Sequence, residues 1–378
     1  MPESQILTIL KKLVAIPSVT GEEWRLAEFI VQFLRDQGVQ PSCFQNSPHQ
    51  PNLVVEFPGM SEKVICFNAH MDVLPAGDET NWLHPPFQPH QEGNKLYGRG
   101  SVDTKAAVAV YLHLINQIMS KRLVLATGVQ FQFVSDEEQG GQNGTKILTK
   151  LISERRLNRP ILAIIGERSN LKLRLVDRGT AQFKVTIKGK STHTAWARAA
   201  GVNPIYYAAQ AITKLERPLS LFSPQIGHPV LSINQISAGG PINQVPESCT
   251  FTIDFRTIME QTLAEVTGYI DSYLREVCSK REELAYDIEL LSYAPARATQ
   301  RGPEVEMIIN VLEKVLGKAE LYLGWAGSTD ARFFREIDIP AVVLGPSGAN
   351  YHGADEYVEL DSVYKLARVH TQLLEEKI

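Results

Sequence analysis

The chain has 378 residues, of which 44% are hydrophobic and 21% charged, and its formal net charge at pH 7 is −4. This composition is ordinary for a soluble globular protein, and the length favours two domains over one. The small negative charge argues against nucleic acid or an anionic membrane as a partner, and the lack of a signal-peptide pattern or a long apolar run predicts a cytoplasmic protein without a membrane span.

Helical and strand patterns alternate along the first 178 residues. Periodicity and apolar runs predict helices over residues 4–14, 22–37, 105–119 and 144–154, and strands over residues 63–69, 128–134 and 160–165. The stretch Thr20-Gly21-Glu22-Glu23 resembles the start of the second helix. This alternation indicates a largely parallel sheet that is covered by helices.

A different pattern begins after residue 171. Strict alternation of apolar and polar residues predicts strands over residues 172–176, 181–188, 230–237, 248–256 and 283–291, and two helical patterns cover residues 203–216 and 260–279. The last four of these strands, together with the two helices, are typical of a small α+β module whose sheet has one solvated face.

After Pro295 the first pattern returns, with helices predicted over residues 303–316, 328–335 and 361–376 and strands over residues 320–324 and 339–344. We therefore predict an α/β protein in which residues 1–178 and 295–378 form one domain around a mostly parallel central sheet. Residues 179–294 are predicted to form a second, inserted α+β domain with a four-stranded sheet and two helices.

Acidic residues and histidines follow the predicted strands of the first domain. His70 follows one strand directly, and Glu137 and Glu138 follow the next. Glu167 follows a third strand, and His352 lies in the loop after the strand that ends at residue 344. Sites in open α/β sheets form beyond the carboxyl ends of the strands, so these side chains are expected to meet. Imidazole nitrogen and carboxylate oxygen are the usual ligands of catalytic Zn²⁺, so the pattern predicts a cluster of divalent metals.

Two short spacings suggest which residues of this cluster bind metal and which have other roles. In His70-x-Asp72 the carboxylate can accept a hydrogen bond from the far ring nitrogen of a metal-bound histidine and so fix its tautomer. The adjacent Glu137 and Glu138 cannot both point the same way, so one can bind metal while the other faces the attacking water. Several carboxylates in one site would repel each other strongly without cations between them.

Each of these features also has an ordinary structural explanation when it is taken alone. His70 and Asp72 could be a structural pair, and Asp103, which precedes an apolar helix, could be its N-cap. The acidic run at residues 136–138 could be a solvated turn, and His352 could be a plain loop histidine. The coincidence of the whole set at strand ends favours the metal site.

Several segments resemble a known family of enzymes. They are NAHMDV at residues 68–73, Trp82 with Pro86-Phe87, YGRGSVDTK at residues 97–105, SDEE at residues 135–138 and IGE at residues 165–167. Together they resemble the dinuclear zinc deacylase and peptidase family that includes acetylornithine deacetylase, succinyl-diaminopimelate desuccinylase, aminoacylase-1 and the glutamate carboxypeptidases. The resemblance covers nearly the whole chain, and it implies a zinc-peptidase-like catalytic, metal-binding domain.

The resemblance implies a set of metal ligands. Two divalent ions are expected, with Zn²⁺ first and Co²⁺ or Mn²⁺ possible because oxygen and nitrogen ligands tolerate several metals. The implied ligands are His70 and Glu167 for one ion, Glu138 and His352 for the other, and Asp103 for both.

The resemblance also implies roles for neighbouring residues. Asp72 would orient His70, and Glu137 would act as the general base. The peptide bond between Asp103 and Thr104 would be cis.

The inserted module resembles the dimerisation domain of the same family, which implies a homodimer. The segment GKSTHTA at residues 189–195 matches a histidine motif, so His193 would stabilise the oxyanion in the active site of the partner subunit. Arg178, Asn243 and Arg256 lie in matching segments and would bind a substrate carboxylate, for which a guanidinium offers bidentate geometry.

The implied reaction is hydrolysis of an amide by metal-activated water, with Glu137 as the base. At the position of Glu167, acetylornithine and diaminopimelate deacylases carry Glu and many of the peptidases carry Asp. We therefore predict removal of an acetyl or succinyl group from an N-acyl amino acid. The alternative is a dipeptidase or carboxypeptidase acting on a dipeptide or peptide. An inactive binding homologue is a third hypothesis, which the intact residue set disfavours.

Overall fold

The computed structural model describes residues 2–323 and 327–376. Its contacts divide the chain into two units. Unit 1 comprises Met1–Leu175, Thr299–Tyr322 and Thr329–Ile378, and unit 2 comprises Val176–Ala298 and Leu323–Ser328. In the sequence, unit 2 therefore interrupts unit 1.

The α-helices of the described chain are α1 (Pro2–Val14), α2 (Trp24–Arg35), α3 (Ala106–Met119), α4 (Thr145–Ser153), α5 (Ala197–Ala200), α6 (Pro204–Leu215), α7 (Leu263–Cys278), α8 (Pro303–Leu316), α9 (Ala331–Glu336) and α10 (Leu360–Glu375). None of these helices combines the length and the apolar character that a membrane crossing requires.

The strands of the described chain are β1 (Ser42–Phe44), β2 (Asn52–Phe57), β3 (Ser61–His70), β4 (His90–Glu92), β5 (Lys95–Tyr97), β6 (Thr127–Val134), β7 (Leu162–Ile165), β8 (Val176–Asp177), β9 (Gly179–Lys188), β10 (Thr192–His193), β11 (Val230–Ala238), β12 (Gln244–Val245), β13 (Ser248–Thr257), β14 (Ala285–Ala294), β15 (Arg297–Ala298), β16 (Ala341–Val343), β17 (Gly348–Ala349) and β18 (Tyr357–Glu359).

The central sheet of unit 1 has the strand order β1-β2-β6-β3-β7-β16. Strands β6, β3, β7 and β16 pair in parallel, whereas β1 and β2 pair antiparallel at one edge. The mixed α/β architecture with parallel strands is thus as predicted. The two antiparallel edge strands were not predicted.

Helix α3 holds the parallel strands together from one face. All its residues from Ala106 to Ile115 are buried, as expected of a helix that is apolar on all sides. Tyr111 on this helix packs against Phe67 of β3 and Phe131 of β6, with ring centroids 5.5 and 5.9 Å apart. Because β3 and β6 are fixed in this core, the residues at their carboxyl ends have fixed positions.

A second, small sheet of unit 1 has the strand order β17-β18-β5-β4. Tyr357 of β18 pairs with Tyr97 of β5. This register brings the loop that follows β5, which carries Asp103, next to the loop that precedes β18, which carries His352.

Unit 2 contains a four-stranded antiparallel sheet with the order β11-β13-β9-β14. The inward residues of β9 and β13 alternate with outward ones, and they pack with helices α6 and α7 into a separate hydrophobic core. One face of this sheet is therefore covered by helices, as the alternation of the sequence indicates.

Some predicted elements differ from the structure. Residues 172–176 were predicted as a strand, but Leu173 and Arg174 make isolated bridges to Leu321 and Val343, and a regular strand begins only at Val176. The strand predicted over residues 320–324 is reduced to that bridge at Leu321, and Gly324 lies outside the described residues. The helix predicted from residue 328 begins at Ala331.

Candidate metal centre

The carboxyl ends of the four parallel strands bring the predicted residues of unit 1 together. His70 is the last residue of β3, and Glu137 and Glu138 lie in a single 3₁₀ turn after β6. Glu167 lies two residues beyond β7, and His352 lies in the loop between β17 and β18, beyond β16 in the chain. The physical cause is the parallel arrangement, which places every strand end on one edge of the sheet.

Candidate ligand atoms fall into two groups, within each of which they lie no more than 4.8 Å apart. One group is His70, Glu137 and Glu167, and the other is Asp103, Glu138 and His352. The geometry therefore places Glu137 among the ligand atoms, although the resemblance implies that it is the base.

Asp103 lies between the two histidines. Its Oδ1 is 3.1 Å from Nε2 of His70, and its Oδ2 is 3.1 Å from Nε2 of His352. The same nitrogen of His352 lies 3.1 Å from Oε2 of Glu138. One carboxylate with an oxygen directed to each side has the arrangement that a bridging ligand requires.

Asp103 lies in a short π-helical turn, Ser101–Lys105, but its own φ of −123° and ψ of 88° are not helical. The N-cap of α3 is Lys105, so the N-cap explanation does not apply to Asp103. Helix α3 begins only at Ala106, and the peptide bond between Asp103 and Thr104 is cis, as the resemblance implies. The segment turns tightly at Gly100, whose φ is +80°. A Cβ there would lie 2.5 Å from Cγ1 of Val73, so glycine lets the segment approach closely.

Asp72 contacts His70 and also the turn that carries the two glutamates. The Nδ1 of His70 lies 2.9 Å from the carbonyl oxygen of Asp72 and 3.5 Å from its Oδ1. The carboxylate accepts hydrogen bonds from the backbone N–H groups of Glu137 and Glu138, both at 3.1 Å, and from the hydroxyl of Thr20. Asp72 therefore fixes the backbone of both glutamates.

Burial and mutual repulsion shift the pKa values of the acidic groups upward. Burial raises the pKa of Glu137 well above its usual range, and the carboxylate of Glu167 adds to this effect. Burial likewise raises the pKa of Glu138, whereas its hydrogen bond from His352 lowers it. A divalent cation would relieve the repulsion between these carboxylates, so the donor set fits a metal.

The pKa of Asp103 is lowered and that of His352 is raised, so both shifts favour the charged form of the group. Burial opposes ionisation of Asp103, but hydrogen bonds from His352 and His70 hold its pKa below the usual range. Hydrogen bonds to Asp103 and Glu138 raise the pKa of His352 to about 10. These pairs hold the nitrogens and oxygens towards one another, in the positions from which they could bind cations.

Three buried residues beside the centre were not singled out from the sequence. Glu23 was included in a helix start, but its carboxylate accepts from the backbone N–H of Asp136 at 3.1 Å. Arg174 pairs with Glu167 through Nη2 and Oε2 at 3.2 Å. Glu356 bonds the segment that carries Asp103. None of the three follows a predicted strand directly, so the pattern that located the ligands does not mark them.

The remaining predicted residues lie in unit 2. His193 is exposed on β10, its Nδ1 accepts from the N–H of Ala195 at 3.2 Å, and the N–H of Thr194 bonds the carbonyl of Asn243 at 2.9 Å. The structure thus brings His193 and Asn243 together.

The two predicted arginines, Arg178 and Arg256, are bound to groups of unit 2. Arg178 is buried, and its guanidinium donates to the carbonyls of Ile226 and His228. Arg256 is half-buried, and its Nε and Nη2 bond the carboxylate of Asp254 at 2.6 and 3.1 Å.

Comparison with known proteins identifies relatives over the full length. The sequence profile described as "Peptidase family M20/M25/M40" matches residues 66–376. A succinyl-diaminopimelate desuccinylase of Rickettsia bellii (strain RML369-C) is 27% identical over 388 aligned positions, which cover 98% of this chain and 96% of the relative.

Solved structures share the fold. A tripeptidase from Staphylococcus aureus superposes with a TM-score of 0.81 at 18% identity, covering 99% of this chain and 98% of that one. A dinuclear metal-binding peptidase from Bacillus subtilis superposes with a TM-score of 0.74, also at 18% identity, covering 99% of each chain.

Proposed function

The chain belongs to peptidase family M20/M25/M40 and is a hydrolase of amide bonds, and we propose that it removes an acetyl or succinyl group from an N-acyl amino acid. The observation that carries this proposal is the pair of ligand groups at the sheet edge, with Asp103 between their two histidines. The desuccinylase from Rickettsia supports the choice of a deacylase.

We assign two divalent cations to the centre, with Zn²⁺ first and Co²⁺ or Mn²⁺ as alternatives. His70 and Glu167 would hold one ion, Glu138 and His352 the other, and Asp103 both. When bound, such ions lower the pKa of water and polarise a carbonyl oxygen.

Glu137 is proposed to move the proton. It would accept a proton from the attacking water and deliver it to the leaving amine. Its backbone N–H is held by Asp72, so its carboxylate starts from a fixed position. Its proximity to His70 and Glu167 supports a metal ligand as well as a base, and metal analysis of a Glu137 variant separates the two roles.

Unit 2 is proposed to supply the contacts to the rest of the substrate. His193, which is exposed, would donate to the oxyanion that develops from the amide carbonyl. Asn243 and Arg256 would bind the carboxylate of the amino acid. Arg178 would bind the same carboxylate, as the family resemblance implies.

We further propose that the inserted domain, residues 179–294, joins two copies of the chain. Strand β11 lies at one edge of the sheet of unit 2 and carries exposed apolar side chains at Val230 and Ile236. An edge strand with exposed apolar residues is a surface on which another chain can pair.

A substrate panel tests the proposed reaction. Zinc-loaded protein is offered N-acetyl amino acids, N-succinyl amino acids and dipeptides, and release of free amine is measured. Release from the N-acyl amino acids is expected. Release from dipeptides alone would replace the deacylase with a peptidase. No release from any compound, with metal bound, would indicate a binding protein that has lost catalysis.

A further inference from the structure

Glu356 is a buried carboxylate of unit 1 that lies close to the proposed metal centre. Only 1% of its surface is exposed. It follows the loop that contains His352 and immediately precedes β18. A buried acidic group is costly unless donors surround it, so its hydrogen bonds indicate what it does.

Four donors from one short segment meet this carboxylate. Its Oε2 accepts from Nη1 of Arg99 at 2.9 Å and from the N–H of Gly100 at 2.8 Å. Its Oε1 accepts from the N–H groups of Val102 and Asp103 at 3.1 and 3.2 Å. Three of the four bonds therefore hold the main chain that carries Asp103.

The backbone of Glu356 strengthens the same connection. Its carbonyl oxygen accepts from the N–H of Gly98 at 2.9 Å, which continues the pairing of β18 with β5. The loop before it is closed by a bond from the side chain of Asn350 to the carbonyl of Asp355. Glu356 thus joins the end of the His352 loop to the whole turn from Gly98 to Asp103.

Arg99 extends the connection to the chain that follows His70. Its Nη2 donates to the carbonyl of Pro75 at 3.4 Å, and its guanidinium lies 5.1 Å from the ring centroid of Trp82. Segments that carry three of the proposed ligands, namely His70, Asp103 and His352, therefore converge on the pair of Glu356 and Arg99.

We propose that Glu356 is a positioning residue that sets the distance between Asp103 and His352 and thereby the affinity of the centre for metal. The inference rests on the proposed metal centre. Groups that orient the ligands of a metal typically contribute a factor of about 10 to 100 in affinity.

The test measures the zinc affinity of Glu356 variants whose metal-free form is folded. Wild type, Glu356→Gln and Glu356→Asp are stripped of metal, their folding is checked by circular dichroism, and zinc affinity is measured by competition with a chelator. Each oxygen of the Glu356 carboxylate accepts two hydrogen bonds. In Glu356→Gln an NH₂ group replaces one of these oxygens and cannot accept them. Glu356→Asp keeps the buried negative charge near Arg99 but shortens the side chain by one methylene. It therefore still tests the positioning role if the Gln variant does not fold.

Asp355→Asn is the matched control. It removes a neighbouring negative charge whose Oδ1 accepts from the N–H of Leu83, outside the segment that carries Asp103. We expect Glu356→Gln and Glu356→Asp to bind zinc on the order of 10- to 100-fold more weakly than wild type, and Asp355→Asn to bind it within about 3-fold.

The outcomes separate this inference from the proposed function. Wild-type zinc affinity in a folded Glu356 variant would overturn the positioning role while leaving the metal centre intact. Equal weakening in Asp355→Asn would also overturn it, because the effect would then belong to the loop as a whole. Absence of zinc binding by the wild-type protein would overturn the metal centre itself.

Discussion

At the scale of single residues, the carboxylates of the centre differ in protonation and in hydrogen bonding because their surroundings differ. Asp103 faces two histidines, which favours its ionised form. Glu137 is buried beside Glu167, which favours its neutral form in the absence of cations. Asp72 is bonded to backbone N–H groups and so acts on the position of other residues.

Replacing Glu137 tests its proposed role as the base. We expect Glu137→Gln to keep two zinc ions per chain and to lower kcat by about 10²- to 10⁴-fold, which is the usual contribution of a general base. Metal analysis and initial rates on one N-acyl amino acid measure both quantities. A near-normal rate in the zinc-loaded variant would disprove the base. Loss of one ion would show that Glu137 is a ligand.

Asp103 is the residue on which both ions are proposed to depend. Asp103→Ala removes the two oxygens that face His70 and His352, so we expect both metal positions to be disrupted and activity to be lost. The metal content after dialysis against zinc-containing buffer is the measurement. Two tightly bound ions per chain in the variant would count against the bridge.

Most of the proposed metal ligands could be located from the sequence because they follow apolar runs, and parallel strands end at one edge of the sheet. Asp103 does not follow such a run, and only the family resemblance indicates it. Glu23 and Arg174 could not be predicted in this way. Glu23 reaches the centre through a contact between segments distant in the chain, the bond from Asp136 to Glu23. Arg174 contacts the nearby Glu167, but its backbone is held by a bridge to the distant Val343. No local pattern marks such a contact.

At the scale of elements, long apolar segments were predicted well and short edge strands were missed. Strand β3 and helix α3 are buried along most of their length, so hydrophobicity alone indicates them. Strand β1 has three residues, and its pairing with β2 determines its structure. The bridges at Leu173 and Arg174 likewise depend on partners far away in the sequence.

Helix α10 contains a titratable group in the apolar core. His370 is fully buried 4.7 Å from the ring centroid of Phe67, and neither of its ring nitrogens has a hydrogen-bond partner among the described residues. Burial lowers its pKa from 6.5 to about 3. The unfolded chain therefore takes up a proton as pH falls below about 6.5, whereas the folded chain stays neutral until about 3.

This difference predicts acid sensitivity of unit 1. The free energy of unfolding should fall with decreasing pH between 6.5 and 3, and His370 should contribute roughly 1.4 kcal/mol per pH unit. We expect His370→Leu to reduce this slope in urea unfolding followed by fluorescence. His90→Gln, which alters an exposed histidine, should keep the wild-type slope. An unchanged slope in His370→Leu would contradict the prediction.

At the scale of the whole molecule, the proposed functional residues are distributed over two units that alternate in the sequence. Unit 1 contains all the proposed metal ligands, and unit 2 contains His193, Asn243 and Arg256. Metal binding and substrate choice are thus proposed to reside in different units. Variation in unit 2 could change the substrate without altering the ligands of the metal.

The proposed dimer is tested at the same scale. We expect equilibrium sedimentation to give twice the chain mass, and Ile236→Asp to weaken association because it places a charge at an exposed apolar position of the edge strand. Glu260→Gln, an exposed site outside β11, serves as the control. A wild-type protein that sediments only as a monomer would contradict the dimer and the role of His193 in a partner subunit.

We propose that a pair of metal ions at this sheet edge is required for amide hydrolysis. The most direct measurement is amine release from an N-succinyl amino acid while zinc is titrated into metal-free protein. We predict no release without zinc and a rate that rises until two ions are bound per chain. Release that is independent of zinc, or a protein that binds no zinc, would contradict the claim.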